Sequence, residues 1–448
     1  MLRTGAMLTG KCQHGRKILG QILTSQLRMS RKLHARRVEG ITTALWVKIF
    51  KLAADYKAVD LSLGYPDYCP PDFVREALGQ AVSGDWSQHQ YTHAFGHPAL
   101  VKVLAQFFQG SLGQEIDPQD NILVTVGAYQ ALHYTFQALV DEGDEVIIID
   151  PSCGWYESMV KMAGGRAVFV PLRPKAGPEG LQSSSHWALD PEELAGKFTQ
   201  RTKAIVLNTP NNPLGKVFKR EELQVIADLC VKHGVVCVSD EVCEGLMYDR
   251  AQHVKIASLP GMWERTITIG SAGKTFSATG LKVGWAIGPE SILKHVKSVH
   301  VVSVYNCPTT PQEAVARLFQ RELENYGKPE SYILQLPQTL NGKRKKLADS
   351  LVSVGMQPIM PEGGYFMIAD FSTIGVDLQD PHNTDEPYDY RFVKWMIRNK
   401  GLATIPMSAF YSPENQKDFE NYIRFCFVKE DSTLRAAEKI LREWSVKK

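Results

Sequence analysis

The strongest constraint on the fold of this 448-residue chain is an alternation that runs from about residue 120 to about residue 290. Short apolar runs at 122–126, 145–149, 167–172, 204–207, 235–238 and 266–269 are separated by amphipathic stretches, among them 128–140 and 221–233. Each run is about strand length and rich in Val and Ile, the composition of strands buried on both faces of a parallel sheet. Helices between such strands cover the two faces, which predicts an α/β layer with a mostly parallel central sheet flanked by helices. A chain this long exceeds a single core and implies a second domain. Beyond Pro311 the pattern shifts to longer helices, then to strand-like segments at 363–368 and 422–428, as in a smaller α+β domain joined by the segment 46–65. The expected organisation is a basic leader at 1–37, an arm with part of the small domain at 38–75, a large domain at 76–325 and a small domain at 326–448. The Pro- and Asp-rich stretch 377–390 reads as an exposed loop.

Composition narrows the function classes. The net charge is +3, yet residues 1–37 hold nine Lys or Arg and no acid, so subtracting nine leaves −6 for the rest. The basic balance belongs to the leader, which argues against a nucleic-acid surface. An acid-free, Arg-containing N-terminus resembles a mitochondrial transit peptide and implies a matrix location; a start at Met29 would give a cytoplasmic form. The alternative is a disordered basic tail. No apolar run approaches the roughly 20 residues of a membrane span. The eight cysteines form no Cys-x-x-Cys pair and lie near no metal-spaced histidines, so no metal is expected.

The polar residues of interest follow the predicted strands, where open parallel sheets bind ligands. Lys274, in Ser271-Ala272-Gly273-Lys274-Thr275, comes just after the run 266–269. Desolvation at such a strand end keeps an amine near neutral and nucleophilic toward an aldehyde cofactor, which points to pyridoxal phosphate. Two rival readings fail. A phosphate-binding P-loop would need glycine at position 268, which is Thr268. A Ser-x-x-Lys site would need partner motifs that the chain lacks.

Asp240 ends another apolar run, and a protonated pyridine nitrogen would hold a buried carboxylate ionised there; a helix cap or loop ion pair is the alternative. Asn212 sits in a Pro-flanked turn after the fourth run and is able to face the same pocket. Gly127 and Ala128 open a helix directly after a strand, where free amides attract phosphate, and Ser271 and Lys282 would add a hydroxyl and a cation. Arg424, the one charged member of an apolar strand, suits a substrate carboxylate unless it is spent in an internal salt bridge.

Taken together, these segments resemble the fold-type I pyridoxal-phosphate aminotransferases, and closely the kynurenine aminotransferase and cysteine-S-conjugate β-lyase group. The resemblance runs from about Ala35 to the C-terminus. It is carried by Leu63-Gly64-Tyr65-Pro66-Asp67, Gln90-Tyr91-Thr92, Val126-Gly127-Ala128-Tyr129, Asn208-Thr209-Pro210-Asn211-Asn212-Pro213, Ser239-Asp240-Glu241-Val242, Ser271 to Gly284 and Tyr422-Ile423-Arg424-Phe425. It implies that Lys274 carries the cofactor and shuttles a proton, with Asp240 on the ring nitrogen and Asn212 on the ring hydroxyl. Gly127, Ala128, Ser271 and Lys282 would hold the phosphate, with Tyr91 arriving from the second subunit of a homodimer that shares its active sites. Arg424, helped by Gly64 and Asn212, would bind the substrate carboxylate, while Trp46, Tyr129 and the partner-subunit aromatic Tyr305 line the substrate pocket.

The implied reaction is ping-pong transfer of an amino group from kynurenine, or a related aromatic or glutamine-like amino acid, to a 2-oxo acid. Elimination of sulfur from cysteine conjugates is a possible second activity. A transaminase with other substrates, a mainly β-lyase enzyme or a cofactor-binding relative without turnover are the alternatives. Three positions depart from the family pattern. Cys243 stands where a tyrosine meets the ring oxygen, Cys153 where an aromatic stacks on the ring, and Asn306 where a histidine follows the partner aromatic.

Overall fold

The computed structural model describes residues 33–41, 44–175, 182–376, 378 and 386–445. Residues 33–41 belong to an N-terminal unit, 1–42, whose described element is the 3-10 turn Arg36–Val38. Most of the predicted leader lies outside the described residues. The second unit, 43–448, holds everything that follows.

Its frame is a seven-stranded sheet. We number its strands β1 (Ile122–Val126), β2 (Glu145–Asp150), β3 (Arg166–Pro171), β4 (Thr202–Asn208), β5 (Val236–Asp240), β6 (Thr266–Ser271) and β7 (Val283–Ile287). Their spatial order is β1-β7-β6-β5-β4-β2-β3. β7 alone is antiparallel to its neighbours β1 and β6; the rest of the ladder is parallel. Each of the six apolar runs is a strand, because side chains such as Val146, Ile148, Ile205 and Val238 are fully buried between two helical layers. β7 carried no such signal. Gly284 and Trp285 interrupt its aliphatic pattern, and it adjoins the lysine motif in sequence.

Helix α1 (Ala44–Asp55) precedes the sheet, and α2 (Gly127–Leu139) and α3 (Trp155–Ala163) follow β1 and β2. The second sheet contains β8 (Gln357–Met360), β9 (Phe366–Asp370) and β10 (Tyr422–Cys426), with two-residue additions at Ile405–Pro406 and Gln182–Ser183. The predicted strand 363–368 begins later, at Phe366, because Gly364 takes a left-handed φ of +71°. The predicted strand 422–428 likewise ends at Cys426. Val59–Asp60 pairs in parallel with Leu402–Ala403, which ties the chain after α1 to the C-terminal region. One expectation is corrected. Residues 388–390, read as loop, are the first turn of the helix Tyr388–Lys400, where Pro387 caps the start and Phe392 and Met396 bury its inner face. Pro387 and Asp389, part of the content that suggested a loop, sit at the helix start, while residues 377 and 379–385 lie outside the described residues.

Candidate active site

The carboxyl ends of β1, β4, β5 and β6 open into a cavity of about 480 Å³. Its lining includes Trp46, Gly64, Gly127, Ala128, Tyr129, Asn212, Asp240, Ser271, Lys274, Lys282 and Arg424. Eleven of the thirteen residues expected at the site therefore meet in one place. The other two, Tyr91 and Tyr305, do not line it. They form an edge-to-face pair with ring centroids 5.7 Å apart, and Tyr91 is 83% exposed.

One end of the cavity is built for an anion. α2 starts at Gly127, whose φ of +73° lets the chain turn straight from strand to helix, and Gly127 and Ala128, at the helix N-terminus, line the space. β7 packs tightly behind this turn: a Cβ on Gly284 would lie 2.5 Å from the Ala128 nitrogen. Lys282, at φ +51°, brings its ammonium 5.6 Å above the Tyr129 ring beside the same turn.

In the middle stands Asp240, the last residue of β5. Burial raises its pKa, opposed chiefly by a hydrogen bond from the Tyr156 phenol, which donates to Oδ2 at 2.5 Å. Asn208 Nδ2 donates to the Asp240 carbonyl at 2.9 Å, and the Asn208 Oδ1 accepts from the Asn212 amide at 2.7 Å. Lys274 lies one turn past β6 and is partly buried. Burial lowers its pKa, and Nζ donates to the Gly64 carbonyl at 3.2 Å, an acceptor shared with the Tyr365 hydroxyl at 3.0 Å.

Arg424 closes the other end from β10. Its guanidinium donates to Asn212 Oδ1 at 3.0 Å and to the Ser62 carbonyl at 2.8 Å, and lies 3.9 Å from the Phe366 ring centroid. Burial brings its pKa down to about 10, and Nε is buried without a partner. The internal salt bridge weighed from the sequence is not formed: among the described residues, the ion pairs leave out Lys274, Lys282 and Arg424 alike. Three cations thus converge on a cavity that holds one carboxylate. Of the three, Arg424 is buried, and a buried charge is retained where it meets an anion.

These donors suit pyridoxal phosphate: amides, Ser271 and Lys282 for the phosphate, Asp240 for a protonated ring nitrogen, and a lysine amine for the aldehyde. Cys243 and Cys153 also line the cavity. Burial pushes the Cys243 thiol up to about 12, leaving it a neutral, weak donor. Trp155 lines the wall next to Cys153, edge-on to Tyr129 at 6.1 Å. Asn306 lies elsewhere and donates to the Thr92 carbonyl at 3.1 Å. The sequence reading missed Tyr156, Phe366 and Phe410. Tyr156 lies three residues beyond Cys153, a position already singled out, whereas Phe410, in the 3-10 turn Met407–Phe410, had no local signal.

Fold and site together define a pyridoxal-phosphate enzyme that handles a small carboxylic acid. The family described as aminotransferase class I and II matches residues 56–440, and the chain belongs to it. It is 58% identical over 420 residues to kynurenine–oxoglutarate transaminase 1 of Homo sapiens, covering 93% of this chain and 100% of that one. Kynurenine–oxoglutarate transaminase 3 of Bos taurus is 53% identical over 430 residues, covering 96% and 94%. Among solved structures, N-succinyldiaminopimelate aminotransferase from Mycobacterium tuberculosis superposes with a TM-score of 0.81 at 33% identity, covering 92% of this chain and 99% of that one. The protein is an aminotransferase that uses pyridoxal phosphate, and its substrates are an amino acid and a 2-oxo acid.

Proposed function

We propose that the amino donor is kynurenine or a similar aromatic amino acid, with 2-oxoglutarate or a related 2-oxo acid as acceptor. The observation that carries this reading is the buried Arg424, which meets no carboxylate among the described residues and is set in an aromatic wall of Trp46, Phe366 and Phe410. Its planar fork suits the carboxylate common to donor and acceptor, and the rings suit an aromatic side chain. The names of the two transaminases, each more than half identical to this chain, point the same way.

Bound pyridoxal phosphate supplies the electron-withdrawing ring that stabilises negative charge at the substrate Cα. The residues do the rest. Asp240 keeps the ring nitrogen charged, and the Tyr156 phenol fixes the orientation of that carboxylate. Lys274, its pKa lowered by burial, removes and returns the proton at the substrate Cα. Arg424 and Asn212 hold the substrate carboxylate so that the Cα proton faces Lys274. Tyr91 and Tyr305 enter this account as residues that a second copy of the chain brings to the site, in a homodimer. Residues 1–37 remain a proposed mitochondrial leader.

The test is product analysis with kynurenine and 2-oxoglutarate. Kynurenate and glutamate in equal amounts support the reading; pyruvate and ammonia from a cysteine conjugate, with no kynurenate, favour β-elimination instead. The two cysteines make a further prediction. Neither thiol stacks on or firmly bonds the cofactor ring, so the double variant Cys243→Tyr with Cys153→Phe is expected to tighten pyridoxal-phosphate binding about tenfold, as one added hydrogen bond and one ring contact would. A titration that gives equal or weaker affinity sinks this interpretation of the departures.

A further inference from the structure

The segment 407–415 brings Phe410 to the cavity, and two buried carboxylates outside the cavity hold it at either end. Ser408 gives its amide and its hydroxyl to Asp389, each at 2.7 Å. At the far end the Ser412 amide donates to Asp150 Oδ2 at 2.9 Å, and Asn415 Nδ2 reaches the same oxygen at 3.4 Å. Asp150 is the last residue of β2, and just beyond it the Ser152 amide donates to the Phe410 carbonyl at 2.8 Å. The segment is therefore strung between the helix Tyr388–Lys400 and the carboxyl edge of the central sheet. Midway along it, the Phe410 ring lies 4.8 Å from the Arg424 guanidinium and meets Trp46 edge-on at 5.5 Å.

Both carboxylates are fully buried, and neither joins an ion pair among the described residues. Burial lifts Asp150 to about 6 and Asp389 to about 7. Carboxyl groups kept without a cation at that desolvation cost are doing something that apolar side chains of similar size would not do. Their closest hydrogen bonds come from this segment, with the Ser152 hydroxyl adding a longer one to Asp150 at 3.4 Å.

We infer that Asp150 is a positioning residue for the amino-transfer reaction: by holding Ser412 and Asn415 it sets Phe410, and through Phe410 it sets the aim of Arg424 at the substrate carboxylate. The inference rests on the carboxylate-binding reading of Arg424. Asp150 itself touches neither substrate nor cofactor.

The experiment measures kcat, the KM for the amino donor and the pyridoxal-phosphate affinity of the cofactor-loaded enzyme carrying Asp150→Asn, and separately Asn415→Ala. The expected result is a donor KM raised about tenfold in Asp150→Asn and about threefold in Asn415→Ala, with kcat within about twofold and cofactor affinity unchanged. A wild-type KM in both variants overturns the inference. So does a joint fall of kcat and cofactor affinity, which marks general loosening of the fold. If Asp150→Asn does not fold, Asn415→Ala, at the outer side of the contact, decides alone. Arg424→Lys measured in parallel separates the two levels: an unchanged donor KM there removes the Arg424 reading, and this inference with it.

Discussion

Lys274→Ala is expected to abolish amino transfer, lowering kcat by about 10⁴-fold or more, while the protein stays folded. The variant removes both the amine that takes the Cα proton and the covalent anchor of the cofactor. Its cost to the fold is small, because Lys274 makes one hydrogen bond, to the Gly64 carbonyl, and no ion pair among the described residues. Two readings separate chemistry from folding. Borohydride reduction is expected to fix pyridoxal phosphate to the wild type and not to the variant, and the thermal midpoints are expected to agree within a few degrees. Residual turnover within tenfold of wild type would assign the proton transfer to another group.

Arg424→Lys is expected to reduce kcat/KM by about a hundredfold for both the amino donor and the 2-oxo acid. Lysine keeps the charge but not the planar fork, and a charge-assisted bond of this kind is worth about 1.5–3 kcal/mol. Loss for both substrates is the distinguishing sign, since the shared feature is the carboxylate. Cofactor affinity should hold, because Arg424 donates to Asn212 and to the Ser62 carbonyl at the end of the cavity away from the Gly127 turn. A defect confined to one substrate would place Arg424 at a side chain instead.

The sequence was most legible where a residue's surroundings repeat along the chain. The six apolar runs announced six strands because a strand buried on both faces has to be apolar throughout. Asp240 and Lys274 stood out for the complementary reason, as charged groups at the ends of such runs. β7 stayed hidden because Gly284 is there to let the strand back lie against the Ala128 amide, a requirement set by a neighbour far away in sequence. The pairing of Gln182–Ser183 with β8, and the place of Phe410 between Asp150 and Arg424, are likewise products of distant contacts. Tyr156 was within reach: a phenol three residues beyond Cys153 sits in the first turn of α3, yet only the fold says that it meets Asp240.

The most direct test follows the absorbance spectrum of the purified, cofactor-loaded protein when kynurenine is added without any oxo acid. The band of lysine-linked pyridoxal phosphate is expected to convert to that of pyridoxamine phosphate, and 2-oxoglutarate to restore it. A band that kynurenine leaves unchanged while another amino acid converts it would contradict the proposed donor, and a protein that shows no lysine-linked band at all would contradict the site itself.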